Sequence, residues 1–437
     1  MKKPFALSLL IIFSTILTAQ VNIKKCLTTP LVQLELKSNA DYVKARAKSI
    51  AENNIWLLSN RAKKSTLNIP VVVHVVHRVS HANVGSGTNI SDAQIEDALR
   101  ILNEDYSKTN PEFPNPPRTT FLQYAGNPDL QFCLATTDPS GNTTTGITRT
   151  ASTKNSFDAD NESNDMKRNN TLGKDGWDPS RYLNIWVCNL SNAGGGQTLG
   201  YAYLPGLWAN QQWKDGLVVD YQYFGTMGAA SPSSDGRTPT HEIGHYLGLE
   251  HTFCESQSGG CCDNDGSNVN DTPAADDNIY WGAVTSTTNN NTCNDLSYSN
   301  IFTTNALDMD ENYMSYASTT WMFSADQVNV MHATLNGYRS SLQNSTVGMN
   351  CNGTVGVNEY PLENMNIYPN PTLGKLHIDS QEKINAISIS NILGKQVFFT
   401  EDFNANTIDL SSLDNGVYFI NISTNKGMHI EKIILSK

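Results

Sequence analysis

The chain has 437 residues and a net charge of −12 at pH 7 with histidine neutral. That length corresponds to about three typical domains. The acidic balance argues against a nucleic-acid-binding protein, whose footprint is a basic patch. No apolar run reaches the length of a membrane span, which argues against an integral membrane protein with a transmembrane span. The eight cysteines are too few for a disulfide scaffold but sufficient for a few bridges.

The first segment has the pattern of a secretory signal peptide, predicted over residues 1–19. Lys2 and Lys3 precede an apolar run from Phe5 to Leu17, and small residues follow. The alternative is an N-terminal membrane anchor, but the run is too short to span a bilayer. Export implies an oxidising compartment, so we expect most cysteines to be paired.

Residues 20–64, here called the leader, differ in charge from the rest of the chain. The leader holds nine Lys or Arg against three Asp or Glu, a net +6, whereas residues 65–437 carry −20. Complementary charge predicts that the leader docks on the body of the protein. The basic cluster at 61–64 suits proteolytic removal, and we interpret the leader as a pro-segment. The alternative is a solvated basic helix that stays attached.

Beyond the leader, β-branched residues predict a buried strand, and helical spacing with Ser91 as N-cap predicts a helix over 91–107. Further strands and turn signals follow along the chain. Near residue 350 the pattern changes, and short predicted strands separated by turns dominate from there on. There we place a boundary between a catalytic domain, 65–350, and a small β-sandwich, 351–437. The predicted strands are 69–77, 130–135, 183–188, 200–204 and 217–224 in the first part, and 387–389, 396–399, 407–410, 416–422 and 430–435 in the second.

The segment 241–251 contains the pattern HExxHxxGxxH. His241 and His245 are four residues apart, so a helix places both imidazoles on one face, within reach of one zinc ion. Glu242 lies one residue round the helix and addresses the water rather than the metal. Gly248 tolerates the backbone angles needed to leave the helix. His251 then arrives from another direction as the third ligand.

Three protein ligands leave the fourth zinc position open, as in catalytic sites. Zinc lowers the pKa of bound water to about 7 and polarises a carbonyl, and Glu242 serves as general base and then general acid. The substrate class that this arrangement suits is a peptide bond. A structural zinc site is the alternative, but such a site has no use for Glu242.

The pattern, together with a Met turn at 312–316, resembles the metzincin metalloproteases. Within them, the sequence from His251 to Phe253, the following Cys-rich loop and the Asp-Thr-Pro element at 271–273 resemble the pappalysin family in its microbial branch. The segments 184–188 and 218–225 also resemble that branch. The resemblance spans about residues 66–342. It implies an α/β (α+β) zinc protease domain with a twisted sheet and an active-site helix.

The resemblance also assigns residues. It makes the three histidines of the motif the zinc ligands and Glu242 the base, and it places Met314 as a hydrophobic floor under the zinc. The hydroxyl of Tyr316 would lie near the metal and stabilise the oxyanion. Microbial relatives that prefer Arg or Lys after the cleaved bond use an acidic residue five positions past the Met-turn methionine. Here that position is Thr319, which argues against basic specificity and favours Trp321 or Met322 as the residues that shape the pocket.

The cysteines suggest several bridges. Cys254, Cys261, Cys262 and Cys293 follow the zinc motif, and we expect two disulfides among them with connectivity left open. Cys133 and Cys188 fall in two predicted strands and are candidates for a third. The resemblance implies that Cys26 in the leader silences the zymogen by placing its thiolate on zinc. The alternatives for Cys26 are a disulfide with Cys351 and an inert thiol.

The loop 263–272 is rich in the hard oxygen donors that calcium prefers. It lacks the EF-hand spacing, but the resemblance implies structural calcium near the Asp-Thr-Pro element. Asp265, Asp271 and Thr272 are the candidate ligands. The alternative is a solvated acidic loop.

Residues 360–437 resemble the type A C-terminal sorting domain of type IX secretion substrates. The matching segments are 367–372 (IYPNPT), Leu393-Gly394, 413–419 (LDNGVYF) and 432–435 (KIIL). The resemblance implies passage across an outer membrane with the secretion machinery as a partner. The alternative is a generic β-sandwich binding module, but no aromatic cluster suggests a sugar platform.

These observations together predict a secreted or surface-attached zinc endopeptidase that is made as a zymogen and acts on proteins or peptides. Two alternatives come from other classes. One is a surface adhesin in which zinc and calcium only hold the fold, and the other is a zinc amidase acting on cell-wall substrates. Replacement of Glu242 by Ala distinguishes the enzyme from the adhesin. Turnover should be lost in an enzyme, whereas an adhesin should be unaffected because it does not need that carboxylate.

Overall fold

The computed structural model describes residues 23–59, 66–193, 195–255, 260–262, 269–276, 280–351, 365–380, 383–391, 396–400, 407–424 and 427–437. The predicted signal peptide, the basic cluster at 61–64 and Asp265 lie outside these residues. The chain divides into two compact units, Met1–Cys351 and Asn352–Lys437. Within the described residues, no helix is both long enough and apolar enough to cross a membrane.

The first unit is a mixed α/β arrangement around one large sheet. Its helices are α1 (Thr28–Ser38), α2 (Ala40–Ser59), α3 (Asp92–Tyr106), α4 (Thr238–Tyr246), α5 (Ala325–Asn336) and α6 (Ser340–Gln343). Its strands are β1 (Ile23–Cys26), β2 (Leu67–Arg78), β3 (Leu130–Ala135), β4 (Ile147–Ser152), β5 (Phe157–Asp158), β6 (Leu183–Cys188), β7 (Leu190–Ser191), β8 (Gln197–Ala202), β9 (Leu217–Asp220) and β10 (Met349–Asn350).

The large sheet has the order β1-β8-β9-β6-β2-β3-β10, and β4 also pairs with β2. Strand β2 pairs in parallel with β3, β4 and β6, so its β-branched residues are buried on both faces. Strand β8 runs antiparallel to β9, and the leader strand β1 lies parallel to β8 at the edge of the sheet. The predicted α/β fold class is therefore confirmed, and the edge at β8 is where the leader joins the catalytic part.

Two local features explain where predicted elements end. The Ser91 side chain accepts a hydrogen bond from the Gln94 amide at 3.2 Å, so it caps α3 as the sequence indicates. Strand β9 stops at Asp220, earlier than predicted, because the Asp220 carboxylate accepts from the Gln222 amide at 2.9 Å. That contact begins a short 3₁₀ turn at Tyr221–Tyr223.

The leader docks chiefly by burying apolar side chains. Leu27, Leu31 and Tyr42 are buried in one cluster with Trp186 of β6 and Leu204. Burial of such side chains stabilises a contact by about 1.5–3 kcal/mol each. The leader is therefore packed into the core of the first unit and does not lie on its surface as a solvated helix.

Ion pairs add to this docking. Lys24 pairs with Asp160 at 2.6 Å, as the basic leader and acidic body predict. The pair between Glu35 of the leader and Lys214 has the opposite polarity and the same length. Partly exposed pairs of this kind contribute about 0–1 kcal/mol each. Charge complementarity thus orients the leader, and apolar burial holds it.

The predicted Cys133–Cys188 bridge is wrong, because Cys133 is bonded to Cys351. Strand β10 runs antiparallel to β3 with Asn350 opposite Leu134, so the next residue, Cys351, faces Cys133 with 4.7 Å between the Cα atoms. Cys188 lies on β6, two strands from β3, and strands are about 4.8 Å apart. That separation exceeds the reach of a disulfide. Cys188 is a free, buried thiol.

The second unit is built from two antiparallel sheets. Three strands, β11 (Met365–Tyr368), β12 (Lys375–Ser380) and β15 (Thr407–Asp409), form one sheet in that order. The other has the order β14-β13-β16-β17, with β13 at Ile384–Asn391, β14 at Gln396–Thr400, β16 at Gly416–Thr424 and β17 at Gly427–Leu435. Residues from both sheets share one apolar cluster, including Leu376 and Ile420. The predicted β-sandwich is confirmed.

We expect peptide mapping of unreduced protein to recover Cys133 linked to Cys351 across 218 residues of sequence separation. Cys188 should react with an alkylating reagent only after unfolding, because it is buried. Replacing Cys351 by Ser should lower the free energy of unfolding by about 2–5 kcal/mol, the usual cost of losing a native disulfide. Recovery of a Cys133–Cys188 peptide instead would contradict the strand order of the sheet.

Candidate active site

Helix α4 presents two of the motif histidines. It begins at Thr238 with a proline in its first turn, a position that needs no backbone donor. Its first turn is tied to α3, because the Thr240 hydroxyl donates to Asp105 at 2.7 Å and the Tyr106 hydroxyl donates to the Thr240 carbonyl at 3.1 Å. His241 and His245 follow on one face of this anchored helix.

The chain leaves α4 through Gly248, whose φ of +99° disfavours any residue with a side chain. The Leu249 amide closes the turn on the Gly244 carbonyl at 2.9 Å. This turn brings His251 back against the helix, where it lies against both other imidazoles. The position predicted for Gly248 is the one that the structure shows.

The three imidazoles converge through their Nε2 atoms. The Nε2 of His251 lies 3.1 Å from the Nε2 of His241 and 3.1 Å from that of His245. The Nδ1 atoms of His241 and His245 each have a backbone acceptor: the Tyr313 carbonyl for His241 and the Leu249 carbonyl for His245, both at 2.7 Å. A carbonyl only accepts, so these two Nδ1 atoms carry the protons and the Nε2 lone pairs face the centre.

This arrangement fits zinc. Lone pairs that face each other in a buried space repel unless a cation lies between them. Ligand atoms at 2.0–2.1 Å from a tetrahedral ion are about 3.3 Å apart, close to the separations found here. Burial lowers the pKa of His245 to about 3, so that its imidazole is in the neutral form that binds metals. The histidines expected from the motif are thus brought together as a ligand set.

The Met turn lies directly under this helix. Met314 is fully buried, and a Cβ on Gly244 would come within 2.4 Å of the Met314 sulfur. Only glycine at position 244 therefore lets the methionine pack against α4. The turn itself is held by the Asn312 side chain, which accepts from the Met314 amide at 2.9 Å. Met314 thus packs against the helix that carries His241 and His245, and its role as a floor under the zinc stays a prediction.

A buried carboxylate joins the Met turn to α4. Asp105 accepts from the Tyr313 hydroxyl at 2.6 Å and from Thr240, and it pairs with Arg237 at 3.3 Å. Burial raises the pKa of Asp105 to about 6, against the opposing effect of Arg237. The side chain links three segments that must keep fixed positions if the imidazoles are to converge.

Glu242 is fully buried beside the histidines. Its Oε2 accepts from the Thr28 hydroxyl at 3.3 Å and from the Cys26 thiol at 3.4 Å, both in the leader. Its Oε1 has no hydrogen-bond partner among the described residues. Burial raises the pKa of Glu242 to about 8. The leader therefore occupies the carboxylate that the motif designates as the base.

Cys26 joins the histidine cluster from the leader. One ligand atom from each of Cys26, His241, His245 and His251 lies within 4.8 Å of all the others. The thiol is buried, and Cys26 is not in a disulfide with Cys351. Burial and the nearby Glu242 raise the pKa of the thiol well above its usual value. The leader thus brings a fourth potential ligand atom to the three imidazoles.

Tyr316 lies on the same side. Its ring is 4.9 Å from the His251 ring and 5.7 Å from that of His241, and the side chain is buried. Burial, and the adjacent Cys26, raise the pKa of its hydroxyl well above the usual value. The Tyr316 side chain lies against the histidine cluster, and the role of its hydroxyl toward the oxyanion stays a prediction.

A cleft of about 270 Å³ opens beside His241 and Glu242, and Ile23 and Lys25 of the leader form part of its lining. The Lys25 ammonium donates to the carbonyls of Tyr316 and Ala317, the latter at 2.9 Å, and lies 5.5 Å from the Trp281 ring centre. Burial lowers the pKa of Lys25 to about 8, although Asp235 favours the charged form. The cleft therefore accommodates a cationic side chain.

The residues expected to shape this cleft do not line it. Trp321 and Met322 belong to a separate apolar cluster with Phe121. The Thr319 hydroxyl accepts from the Val284 amide at 2.8 Å and supports a turn. The prediction for Trp321 and Met322 is wrong because the chain turns back into the core after the Met turn, which one-dimensional spacing does not reveal.

The candidate calcium residues are only partly described. Asp271 and Thr272 are buried, and the Asp271 Oδ2 accepts from the Asp326 amide at 2.9 Å. The Asp271 Oδ1 is buried without a hydrogen-bond partner among the described residues. Burial raises the pKa of this carboxyl to about 6.

The four cysteines after the motif are paired as Cys254–Cys262 and Cys261–Cys293. The first bridge closes the loop that follows His251, and the second ties it to a distant segment. The sequence could not choose among the three pairings, because the choice depends on where the loop between positions 262 and 293 returns.

Sequence reasoning missed three residues of the site: Thr28, Lys25 and Glu255. The Glu255 carboxylate accepts from the Nδ1 of His251 at 2.8 Å. Thr28 and Lys25 flank the Cys26 region, so proximity to the candidate leader cysteine was the available signal. Glu255 follows His251 by four residues in a loop, and no periodicity marks it.

The first unit combines three features: two histidines on a helix with a third after a glycine turn, a buried methionine packed against that helix, and a mixed sheet. Together these features define a zinc metalloprotease domain of the metzincin type. Residues 166–336 match the peptidase family model described as pregnancy-associated plasma protein-A. Mature mirolysin of Tannerella forsythia, solved with a cleaved peptide, is 37% identical, and the match covers 64% of this chain and 97% of that one, with a TM-score of 0.54. The chain belongs to this family, the pappalysins.

Other comparisons agree. A promirolysin mutant from Tannerella forsythia is 34% identical over 73% of this chain and 97% of that one, with a TM-score of 0.60. An extracellular metalloprotease of Pyricularia oryzae is 30% identical over 216 residues, which are 49% of this chain and 59% of that protein. The chain thus spans little more than half the length of this curated relative. Residues 366–436 match the secretion system C-terminal sorting domain, as the sequence predicted.

Proposed function

We propose that this protein is an exported zinc endopeptidase that is made as a latent zymogen. The observation that carries the proposal is the convergence of three buried imidazoles next to Glu242, beside a sheet edge that an extended segment of the leader already covers. Membership of the pappalysin family and the match to a sorting domain support the same conclusion.

His241, His245 and His251 would hold the zinc ion. When bound, zinc lowers the pKa of a water molecule and polarises the substrate carbonyl. Glu242 acts as general base: its Oε1 takes the proton of the attacking water and then delivers it to the leaving amine. Tyr316 lies against His251, and its hydroxyl donates to the oxygen on which negative charge develops.

The cleft edge explains how a peptide would bind. The leader strand β1 hydrogen-bonds along β8, with Cys26 opposite Gly200 and the Leu27 amide on the Gly200 carbonyl at 3.1 Å. After the leader leaves, the backbone groups of β8 that had paired with β1 become free to bind an extended substrate. This binding mode favours an endopeptidase over an amidase for cell-wall substrates. An adhesin would not need the buried Glu242.

Latency follows from the leader contacts. Cys26 lies at the histidine cluster, where its thiolate would be a strong zinc ligand and would exclude the water. The Thr28 hydroxyl donates to Glu242, so the leader would block the metal position through Cys26 and the base through Thr28. The larger share of this chain matched by promirolysin, 73% against 64% for mature mirolysin, supports the assignment of the leader as a pro-segment.

The cleft contents also favour a substrate class. Lys25 precedes the residue at the metal position, and its ammonium is bound by two carbonyls, with Trp281 and Asp235 nearby. A peptide that occupies the cleft as the leader does would place a Lys or Arg side chain there. This favours cleavage next to a basic residue despite Thr319, because backbone carbonyls and Asp235 replace the missing carboxylate.

The remaining proposals concern calcium and export. Asp271 and Thr272 are proposed calcium ligands, supported by the buried Asp271 Oδ1 that lacks a protein partner in the described chain. We propose that the signal peptide ends at residue 19, that the leader ends at residue 64, and that the catalytic domain ends at residue 350. The sorting domain makes the secretion machinery the proposed partner during export.

Replacement of Glu242 by Ala should reduce peptide cleavage by matured protein at least about 100-fold, because the general base is lost. Zinc content should be unchanged, since the three ligands remain. Glu104→Gln, which removes a partly exposed carboxylate paired with Arg100, is the matched control and should retain full activity. Equal cleavage by the Glu242 variant and the wild type would exclude the proposed chemistry and favour the adhesin.

Replacement of Cys26 by Ala in the full chain should release activity before the leader is removed, because the fourth ligand atom is lost. The rate of cleavage of a fluorogenic peptide, measured at equal zinc content, tests this expectation. Cys188→Ala removes a different buried thiol and should leave the protein latent. If the Cys26 variant is as silent as the wild type, the leader inhibits by covering the cleft alone.

Digestion of a proteome-derived peptide library by matured protein should yield cuts enriched in Lys or Arg next to the cleaved bond. Asp235→Asn should weaken that enrichment without abolishing cleavage, since it removes the charge nearest the Lys25 site but no catalytic group. Cuts flanked mainly by apolar residues would show that the Lys25 contacts do not represent substrate binding.

A further inference from the structure

The three imidazoles are not held in the same way. His241 and His245 each donate from Nδ1 to a backbone carbonyl, which the fold fixes in place. His251 instead donates to a side chain, the Glu255 carboxylate, at 2.8 Å. The orientation of the third imidazole therefore depends on one side chain in the loop that follows the motif.

Neighbouring contacts hold Glu255 in position. The adjacent Cys254 is bonded to Cys262, and its amide donates to the Ala275 carbonyl at 2.9 Å. On the other side, the Phe253 ring stacks on the His251 ring, with 4.8 Å between the centres and 10° between the planes. The two residues that precede Glu255 are thus held in place, one by the His251 ring and the other by a disulfide and a backbone hydrogen bond.

From these contacts we infer that Glu255 is a positioning residue that fixes His251 for zinc and strengthens it as a ligand. The inference rests on the proposed function in that it takes zinc as the bound ion. A carboxylate on Nδ1 holds the proton there, leaves the Nε2 lone pair directed at the metal and raises the basicity of the ring. It also places a full negative charge close to a buried dication. The carbonyl groups that accept from His241 and His245 provide only partial charges.

The leader reaches the same carboxylate. The Thr29 hydroxyl donates to the Glu255 Oε2 and lies 3.5 Å from the His251 Nδ1. Together with Cys26 at the metal position and Thr28 on Glu242, three neighbouring leader residues engage three different parts of the site. Glu255 is therefore satisfied in the latent chain and exchanges the Thr29 contact for water when the leader leaves, while it keeps the imidazole.

The test measures zinc affinity rather than catalysis. Full-length wild type, Glu255→Ala and Glu255→Gln would each compete with a chromophoric chelator for zinc. Loss of the partner of a metal-binding histidine typically weakens metal affinity 10–100-fold, and we expect a loss in this range for Glu255→Ala. Glu255→Gln should show a smaller loss, because its amide oxygen still accepts from Nδ1 but carries no charge.

Glu250→Gln is the matched control. Glu250 precedes His251, its side chain is 46% exposed, and it pairs with Arg46 of the leader at 3.1 Å. The Glu250→Gln variant should bind zinc with the same affinity as the wild type. The melting temperature of the zinc-free proteins separates the roles, since a merely structural Glu255 would lower that temperature without a change in zinc affinity.

A zinc dissociation constant for Glu255→Ala within about twofold of the wild-type value would overturn the inference, because carboxylate partners of this kind change affinity by at least tenfold. If Glu255→Ala does not fold, the isosteric Glu255→Gln decides by the same criterion. Failure of the wild type itself to bind zinc would instead contradict the proposed function. The two failures are therefore distinguishable.

Discussion

The structure depends on one constraint: three imidazoles must point their Nε2 atoms at one buried place. Nε2 atoms 3.1 Å apart repel unless a cation lies between them, so the surrounding protein has to hold them there. Helix α4 supplies two of the rings, and the turn at Gly248 returns the third. The packing of Met314 against Gly244 and the links through Asp105 keep the helix and the Met turn at a fixed distance.

The leader meets this site as an extended strand and not as a separate inhibitory domain. It pairs with the edge of β8, places a thiol beside the imidazoles, and contributes a lysine to the lining of the adjoining cleft. The backbone edge that we propose for substrate binding is thus hydrogen-bonded while the leader is in place. Apolar burial of residues such as Leu31 and Tyr42 holds the leader there, since partly exposed ion pairs contribute little.

The second unit has its own apolar core. Its two antiparallel sheets bury Leu376, Ile420 and their neighbours between them, which is sufficient for a compact sandwich. This division fits a protein whose chemistry resides in one part and whose export signal resides in another. The match of residues 366–436 to a sorting domain follows the same division.

The sequence by itself marked the candidate zinc ligands and base, and its resemblance to a known family gave the fold class. Local rules support these predictions: a four-residue spacing puts His241 and His245 on one helix face, a glycine permits the turn, and β-branched runs mark the strands. Only the tertiary structure decided which distant residues complete the site. Cys133 bonds to Cys351 because β10 returns beside β3, Lys25 lines the cleft because β1 pairs with β8, and Glu255 reaches His251 through a disulfide-bonded loop. Such long-range contacts depend on strand order and loop paths, which no periodicity in the chain records.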